Sequence, residues 1–331
     1  MKALVYTDPF KLEYMDYPEP QVSKNDVLVK VEAVGICGSD LHAYQGHDAR
    51  RKPPLVLGHE VVGEAQNGIY QGENVIINPL TTCLTCTYCR GGKTNLCLNR
   101  QLIGMNQQGG FADYVLIRED NCIPIKRSFK PQEAVLTEPV ATAYHGIKLM
   151  TNAFFRPIQE ANVLVIGGGS VGLAAALLLK SYGCAKVVLS ETNQKRIDKL
   201  KKSCEIDIIN PVEQKGNFLA SFHCVVDAVG SAPSRDFACK HVEPGGVILH
   251  IGLSSDTGSL DIRKITLSEV AFIGSYTYEH LDLVAAAKII ESGKLGPFSW
   301  VDSRKLEEGA EAFSELSSGK SQFSKIVLCP S

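Results

Sequence analysis

The sequence lacks an excess of charge of either sign. Its 34 lysines and arginines nearly balance 36 aspartates and glutamates, which gives a formal net charge of −2. A protein that holds a nucleic-acid backbone needs a basic surface, because phosphate contacts dominate such binding. Even the basic run KRIDKLKK, residues 195–202, is more typical of a solvated helix face. We therefore expect no nucleic-acid partner.

An apolar leader is also missing from the first ten residues, MKALVYTDPF, so no secretory signal is predicted and we expect a cytoplasmic protein. One segment, ANVLVIGGGSVGLAAALLL over residues 161–179, is long and apolar enough to suggest a membrane span. Its clustered glycines separate a strand-like half from a helix-like half. The segment therefore predicts a buried strand, a turn and a helix, and we expect no membrane partner.

Cysteine is plentiful, but its pattern does not fit disulfides. The chain has 11 cysteines, an odd number spread over 331 residues, whereas disulfide frameworks are typical of short secreted chains. Four of them lie in TTCLTCTYCRGGKTNLCLN, residues 81–99, and these are Cys83, Cys86, Cys89 and Cys97. Thiolates with two residues between them can bind one zinc ion, and a fourth from further along completes a tetrahedron without an open position. The loop therefore predicts a structural zinc site, with an iron–sulfur cluster as the alternative.

A second set of possible metal ligands is spread over the segments GICGSDLHAYQG, LGHEVVG and LTEPVATAYHG. Cys37, His59 and a carboxylate from Glu60 or Glu138 are ligands of the kind that a catalytic zinc takes. Such a site has three protein ligands and leaves the fourth position to water or substrate. No local spacing links these residues, so a histidine in an ordinary polar contact is the alternative.

A glycine pattern follows the predicted strand at residues 163–166 and opens the predicted helix, which runs to about Tyr182. The first glycine of Gly-x-Gly-x-x-Gly allows a tight turn, the second admits a pyrophosphate, and the third lets helix and strand pack closely. The phosphates then lie at the N-terminus of the helix, where backbone N–H groups favour anions. The candidate dinucleotide-binding residues here are Gly167, Gly169, Ser170, Val171 and Gly172.

Glu191 ends the next predicted strand, KVVLSE, about twenty residues beyond the glycines. An acid at this position accepts hydrogen bonds from the adenosine ribose and repels a 2′-phosphate, so NAD is favoured. Arg196 is a further candidate cofactor-binding residue, and together with Lys195 it keeps NADP as the alternative.

Taken together and in this order, these segments resemble the zinc-dependent medium-chain dehydrogenase/reductase superfamily over essentially the whole chain. The likeness implies an α/β protein with a GroES-like, β-rich catalytic domain and a doubly wound, parallel-sheet (Rossmann) cofactor domain. The implied boundaries are residues 1–139 and 279–331 for the catalytic domain, and 140–278 for the cofactor domain. The residues that carry the likeness are the 37–40 run with His42, the 58–60 triplet, the four-cysteine loop, Glu138-Pro139 and the glycine pattern.

The resemblance also assigns the metal ligands. Cys37 and His59 match the catalytic zinc ligands of the superfamily. Glu138 stands where other alcohol dehydrogenases have a second cysteine, which is the pattern of the sorbitol-, threonine- and galactitol-phosphate-type branches. Glu60 can join or leave the metal as water and substrate exchange, so it is both a candidate ligand and a candidate catalytic residue. Which of the two glutamates binds the metal in the resting enzyme is left open.

The neighbouring residues acquire roles from the same likeness. Asp40 matches a residue that fixes the tautomer of the histidine ligand, and Ser39 and His42 match a proton relay. The implied activity is reversible hydride transfer between NAD and a zinc-bound secondary alcohol, such as a polyol, sugar alcohol or amino alcohol. The resemblance further implies zinc at both predicted sites and a homodimer or homotetramer.

Two other functions are weighed against this activity: a non-catalytic zinc- and nucleotide-binding protein, and an NADP-dependent aldehyde or ketone reductase of the same fold. The intact set of Cys37, Ser39 and His42 favours catalysis, because these residues are free to change once catalysis is lost. A zinc-free quinone reductase is excluded, since that branch lacks both cysteine sites. The sequence does not identify the substrate, and Tyr44 and Phe111 are equally consistent with a pocket lining and with core packing.

Overall fold

The computed structural model describes residues 1–213 and 220–331. Its strands, in chain order, are β1 (Lys2–Asp8), β2 (Lys11–Asp16), β3 (Asp26–Gly35), β4 (Leu55–Val56), β5 (Glu60–Ala65), β6 (Asn74–Ile77), β7 (Leu80–Thr81), β8 (Gln101–Leu102), β9 (Tyr114–Arg118), β10 (Cys122–Ile125), β11 (Asn162–Ile166), β12 (Lys186–Ser190), β13 (Asp207–Ile209), β14 (Phe222–Asp227), β15 (Val242–His250), β16 (Ala271–Gly274), β17 (Val301–Lys305) and β18 (Lys325–Cys329). The α-helices are α1 (Gly38–Tyr44), α2 (Thr87–Arg90), α3 (Pro131–Ala134), α4 (Thr137–Ala153), α5 (Ser170–Ser181), α6 (Gln194–Ser203), α7 (Ala232–His241), α8 (Ile262–Leu267), α9 (His280–Glu291) and α10 (Gly309–Ser317).

The chain divides into two compact units. The first comprises Met1–Glu138, Glu279–Ser292 and Val301–Ser331, and the second comprises Pro139–Tyr278 and Gly293–Trp300. The first unit holds most of the short antiparallel strands, and the second holds a parallel sheet with helices. The α/β fold class is thereby confirmed, while the domain boundaries drawn from the sequence stay a prediction.

The main sheet of the first unit has the strand order β10-β6-β5-β3-β18-β17, and β9 also pairs with β3. In strand β3, the buried valines at positions 27, 29 and 31 alternate with less buried residues at positions 28, 30 and 32, which is the pattern of a half-buried strand. Its last residue, Gly35, pairs with Glu60 of β5 on one side and with Val327 of β18 on the other. These two pairings bring residues that are far apart in sequence to the same end of the sheet.

The core of the first unit contains both aromatic residues whose role the sequence left open. Tyr44 is 6% exposed and Phe111 is 0% exposed. The Tyr44 ring centroid lies 5.5 Å from that of Phe313, and the Phe111 ring meets the same Phe313 edge-on at 5.6 Å. Aromatic rings at these separations are typical of core packing, so Tyr44 and Phe111 belong to the core.

The second unit contains a six-stranded, fully parallel sheet in the order β13-β12-β11-β14-β15-β16. This is the order of a doubly wound dinucleotide-binding fold, whose ligands bind at the carboxyl ends of the strands. The predicted strand, turn and helix at residues 161–179 are confirmed, because β11 ends at Ile166 and α5 begins at Ser170. Among the described residues, the helices are too short or too polar to cross a membrane.

Candidate metal and nucleotide sites

The four cysteines of the loop come together at one point. Their Sγ atoms all lie within 4.8 Å of one another. The Sγ atom of Cys83 is 3.5 Å from that of Cys97 and 4.0 Å from that of Cys89. Four Zn–S bonds at tetrahedral angles place the sulfurs about 3.8 Å apart. The donor set therefore fits one zinc ion, whereas the thiolates of an iron–sulfur cluster bind different irons and need wider spacing.

The backbone at the start of this loop favours a thiolate at Cys83. Leu84 has a φ of +58°, which turns the chain sharply after Cys83. The N–H of Cys86 donates to the Sγ of Cys83 at 3.4 Å, and the N–H of Cys89 donates to the Sγ of Cys86 at 3.5 Å. The backbone N–H groups of Thr85 and Cys86 lower the pKa of Cys83 to about 5. A thiol with so low a pKa is ionised at neutral pH, which is the form that binds a metal.

Cys37, His59 and Glu60 form a second group, and their ligand atoms also lie within 4.8 Å of one another. Cys37 directly precedes helix α1, His59 directly precedes β5, and Glu60 is the first residue of β5. Burial lowers the pKa of His59, but the negative charges of Asp40 and Cys37 outweigh burial and raise it well above its ordinary value. A thiol, an imidazole and a carboxylate in a negatively charged environment suit a zinc ion with an open coordination position.

Asp40 connects two of these residues. Its carboxylate is 0% exposed, and Oδ1 lies 3.5 Å from Nδ1 of His59 while Oδ2 accepts the backbone N–H of Cys37 at 3.0 Å. Burial raises the pKa of Asp40, but His59, Arg51 and the backbone N–H of Cys37 together outweigh burial and lower it. Because Nδ1 of His59 faces this carboxylate, Nε2 is the ring nitrogen left for a metal. A carboxylate next to the other ring nitrogen commonly orients a metal-binding histidine in this way.

Lys325, the first residue of β18, also lies at this group, although no sequence motif predicts it there. Its Nζ lies 2.6 Å and 2.5 Å from the two carboxylate oxygens of Glu60, and it also donates to the carbonyl of Ile36 at 2.9 Å. Both charged side chains are 0% exposed. Gly35 makes room for them, since a Cβ there would lie 2.0 Å from Oε2 of Glu60. Burial lowers the pKa of Lys325, but Glu60 and Cys37 outweigh burial and raise it above its ordinary value, so the Lys325 ammonium stays protonated at neutral pH.

Glu138 lies in the first turn of α4 and is 7% exposed. Its negative charge contributes to the raised pKa of Lys325, after Glu60 and Cys37. Among the described residues, however, the group with Cys37 and His59 includes Glu60 and not Glu138. The ligand role of Glu138 therefore stays a prediction.

Ser39 and His42 both lie on α1, three residues apart, which places them on the same helix face. Arg51, which the sequence analysis did not include, donates from Nη2 to the Ser39 Oγ at 3.3 Å. Burial is the largest of the effects that lower the pKa of His42, and the nearby His47 lowers it further. A lowered pKa keeps the His42 ring neutral at neutral pH, so the ring is able to accept a proton.

The glycine turn of the second unit has the geometry of a phosphate cradle. Gly167 has a φ of +98°, and a Cβ on Gly172 would lie 1.9 Å from the Gly167 carbonyl oxygen. A Cβ on Gly169 would meet nothing within 4 Å, which leaves open space at the start of α5. No side chain caps this helix, so the backbone N–H groups at Ser170 and Val171 suit a pyrophosphate. These residues fit NAD or NADP.

Glu191 is 6% exposed and follows the carboxyl end of β12. Its Oε1 accepts the N–H groups of Thr192 and Asn193 at 2.7 and 2.8 Å. Its Oε2 accepts the N–H of Gly168 at 3.0 Å and Nη1 of Arg196 at 2.9 Å. Burial raises the pKa of Glu191, but Arg196 and the backbone donors outweigh burial and lower it. A carboxylate has about four acceptor sites, so a ribose hydroxyl must displace one donor, and the Arg196 side chain is the one most easily moved.

Two family models match the chain: the alcohol dehydrogenase GroES-like domain over residues 23–127, and the zinc-binding dehydrogenase over residues 170–292. The L-galactonate-5-dehydrogenase of Escherichia coli strain K12 is 29% identical over 308 residues, which span 89% of this chain and 88% of the relative. The L-threonine 3-dehydrogenase of Yersinia pestis strain Pestoides F is 29% identical over 332 residues, with 95% and 94% covered. An alcohol dehydrogenase structure from E. coli CFT073, complexed with NADH, is similar with a TM-score of 0.87 and 26% identity over 99% of both chains.

Proposed function

Because the chain belongs to the zinc-dependent medium-chain dehydrogenase/reductase superfamily, we propose that Cys37, His59 and one of two glutamates hold its catalytic zinc. The chain is an oxidoreductase of the alcohol and polyol dehydrogenase type that acts on CH–OH groups with zinc and NAD(P). The observation that carries the proposed site is the Cys37–His59–Glu60 group, whose ligand atoms lie within 4.8 Å of one another beside the buried Asp40. Zinc at the four-cysteine loop is proposed to be structural, because the four thiolates leave no open position.

The chemistry divides between the cofactors and the chain. Zinc supplies a Lewis acid that stabilises negative charge on the substrate oxygen, and NAD supplies the hydride acceptor. Asp40 orients His59 through Nδ1, and Lys325 holds the carboxylate of Glu60. Ser39 accepts the hydroxyl proton of the alcohol as it gives up its own hydrogen, and His42, on the same face of α1, is the acceptor of the proton that leaves the site.

The proposed substrates are secondary alcohols, polyols, sugar alcohols and amino alcohols. The names of the two relatives, an L-galactonate and an L-threonine dehydrogenase, support this range. The test is an NAD(H)-coupled screen over polyols, sugar acids, sugar phosphates, amino alcohols and simple alcohols, run on protein of known zinc content. Turnover of at least one class supports the proposal. Zinc-loaded protein that binds NADH but turns over none of them would instead support the non-catalytic binder.

The proposed proton relay predicts a partial loss of activity for His42→Gln. The substitution leaves the zinc ligands and the glycine turn intact but removes the proton acceptor, so kcat should fall roughly ten- to a thousand-fold. The loss should shrink as the pH rises, because hydroxide or buffer then accepts the proton. His241→Gln is the control, since His241 lies on α7 and is not part of the proposed relay. Full activity of His42→Gln at neutral pH would show that His42 is a structural histidine.

The ion pair between Glu191 and Arg196 predicts a change of cofactor preference. In Glu191→Ala, NAD loses its ribose acceptor, the repulsion of a 2′-phosphate disappears, and Arg196 loses its carboxylate partner. The ratio of kcat/KM for NADP to that for NAD should therefore rise roughly tenfold or more. Steady-state kinetics with both cofactors measure this ratio, and adding Arg196→Ala should remove the gain with NADP. A preference for NADP in the unaltered enzyme would contradict the role of Glu191.

We also propose a cytoplasmic location and a homodimeric or homotetrameric assembly. The apolar segment at residues 161–179 is a strand and a helix of the parallel-sheet unit, which supports the absence of a membrane partner. The near balance of 34 basic and 36 acidic residues supports the absence of a nucleic-acid partner. Light scattering on the purified protein measures the assembly, and a monomer at micromolar concentration would contradict it.

A further inference from the structure

We propose that Arg51 is a positioning residue for proton transfer. Arg51 acts by occupying one acceptor site of the Ser39 hydroxyl. The hydroxyl then has one acceptor site left for the proton of the substrate alcohol, and its own hydrogen points away from Arg51. This inference rests on the relay role proposed above for Ser39. It adds a residue that does not itself touch the substrate or the cofactor.

The guanidinium of Arg51 is held in place from three directions. Its side chain is 1% exposed. Nε donates to the carbonyl of Gly104 at 3.0 Å, Nη1 donates to Oδ2 of Asp48 at 2.5 Å, and Nη2 donates to Oγ of Ser39 at 3.3 Å. The bonds to Asp48 and Gly104 do not involve Ser39, so the planar group is held in place before any substrate arrives. A fixed planar donor is the kind of group that sets the orientation of a neighbouring hydroxyl.

The direction of this hydrogen bond has a chemical consequence. An arginine has five N–H donors and no acceptor, so Ser39 must be the acceptor in its bond with Arg51. A serine hydroxyl has one hydrogen and two acceptor sites. For a relay, Ser39 must accept one proton and donate another at the same time. The bond from Arg51 disfavours the orientation in which the Ser39 hydrogen points back into the protein, and it thereby selects the orientation that a relay uses.

Arg50 provides a matched control within the same chain. It donates to Asp48 from Nε at 2.8 Å and from Nη2 at 3.0 Å, so both arginines pair with one carboxylate. The Arg50 side chain, however, is 63% exposed, and Ser39 receives its bond from Arg51. Losing Arg50 therefore tests the loss of an ion pair with Asp48, whereas losing Arg51 also removes the donors to Ser39 and to the Gly104 carbonyl.

The kinetic test compares Arg51→Met, Arg50→Met, Ser39→Ala and the double variant Ser39→Ala/Arg51→Met. We expect Arg51→Met to lower kcat roughly ten- to a hundred-fold with a much smaller change in KM, because the group that transfers the proton is no longer oriented. The solvent deuterium isotope effect on kcat should increase in the same variant, and Arg50→Met should change neither quantity. In the Ser39→Ala background, Arg51→Met should have no further effect, since residues that act through one another are not additive.

Several results would overturn the inference. One is a double variant whose kcat loss is the product of the two single losses. Another is an Arg51→Met effect confined to KM or reproduced by Arg50→Met. Full activity of Ser39→Ala would instead contradict the relay in the proposed function. This failure can be told apart from a failure of the Arg51 inference, because it is seen without any Arg51 variant. Zinc content and the thermal midpoint of each variant show whether the altered protein is folded.

A spectroscopic readout keeps the test independent of turnover and of the folding of any Arg51 variant. In protein labelled with ¹⁵N-arginine, the side-chain N–H signals of Arg51 should shift between the unaltered chain and Ser39→Ala. The signals of the exposed Arg50 should stay in place. Unchanged Arg51 signals would show that the bond to Ser39 is absent in solution, and would overturn the proposal whatever the kinetics.

Discussion

Cys37→Ser should remove one zinc ion per chain and nearly all turnover. A neutral hydroxyl is a much poorer zinc ligand than a thiolate, and Cys37 is one of the three protein ligands proposed for the open site. Without the metal, negative charge on the substrate oxygen is not stabilised, so kcat should fall roughly a thousandfold or more. Metal analysis and the coupled NAD(H) assay on the same preparation measure both effects.

Cys122→Ser is the control for this substitution. Cys122 is a buried cysteine of β10, outside both thiol-containing groups, and burial raises the pKa of its thiol to about 12. That variant should keep the zinc content and the turnover of the unaltered chain in its folded fraction. If Cys37→Ser kept its full zinc content and its activity, the catalytic metal would have to be held by other residues.

The four-cysteine site is the part of the molecule that the sequence predicts most completely, because its geometry is local. Cys83, Cys86 and Cys89 are separated by two residues each, and Cys97 follows within the same short loop. Turns of that length bring sulfurs together almost regardless of the surrounding fold. The glycine turn is similar, since one strand, one turn and one helix create the whole phosphate cradle.

The open metal group is less accessible to sequence reasoning, because it depends on strand pairing. Cys37 and His59 are brought together by the pairing of Gly35 with Glu60 between β3 and β5. The resemblance to a known superfamily predicts both residues as zinc ligands, whereas their spacing in the sequence makes them only a candidate pair. A residue pattern carries no information on register until both strands and their neighbours are in place.

Lys325 shows where the same reasoning fails. It is 265 residues from Glu60 in sequence, and it meets that carboxylate only because β18 adds to the other side of β3. The available sign of a buried lysine is its position at the start of the apolar strand KIVLC. A lysine at an exposed strand end gives the same pattern, so the sequence does not distinguish the two cases. Glu191 is similar in part. The sequence predicts its position at the end of a strand, but it does not predict that four N–H groups of the chain already donate to its carboxylate.

Cys97→Ser should affect stability far more than chemistry. The Cys97 thiol is 0% exposed, and its Sγ lies 3.5 Å from that of Cys83 and accepts the Cys83 N–H at 3.5 Å. A closed tetrahedral site contributes folding energy and no open coordination position, so losing one thiolate removes its zinc ion but leaves the open site intact. We expect the thermal midpoint to fall by roughly 5–10 °C while the folded fraction keeps its turnover.

Calorimetry and metal analysis test this expectation, and together with Cys37→Ser they separate the two metal sites. Each variant should lose a single zinc ion, but Cys37→Ser should lose activity and keep its midpoint, whereas Cys97→Ser should do the reverse. Cys122→Ser again controls for replacing a buried thiol. Iron and acid-labile sulfide in the unaltered protein would instead support the iron–sulfur alternative. If Cys97→Ser lost turnover as completely as Cys37→Ser while remaining folded, the loop would take part in catalysis, and its assignment as a structural site would be wrong.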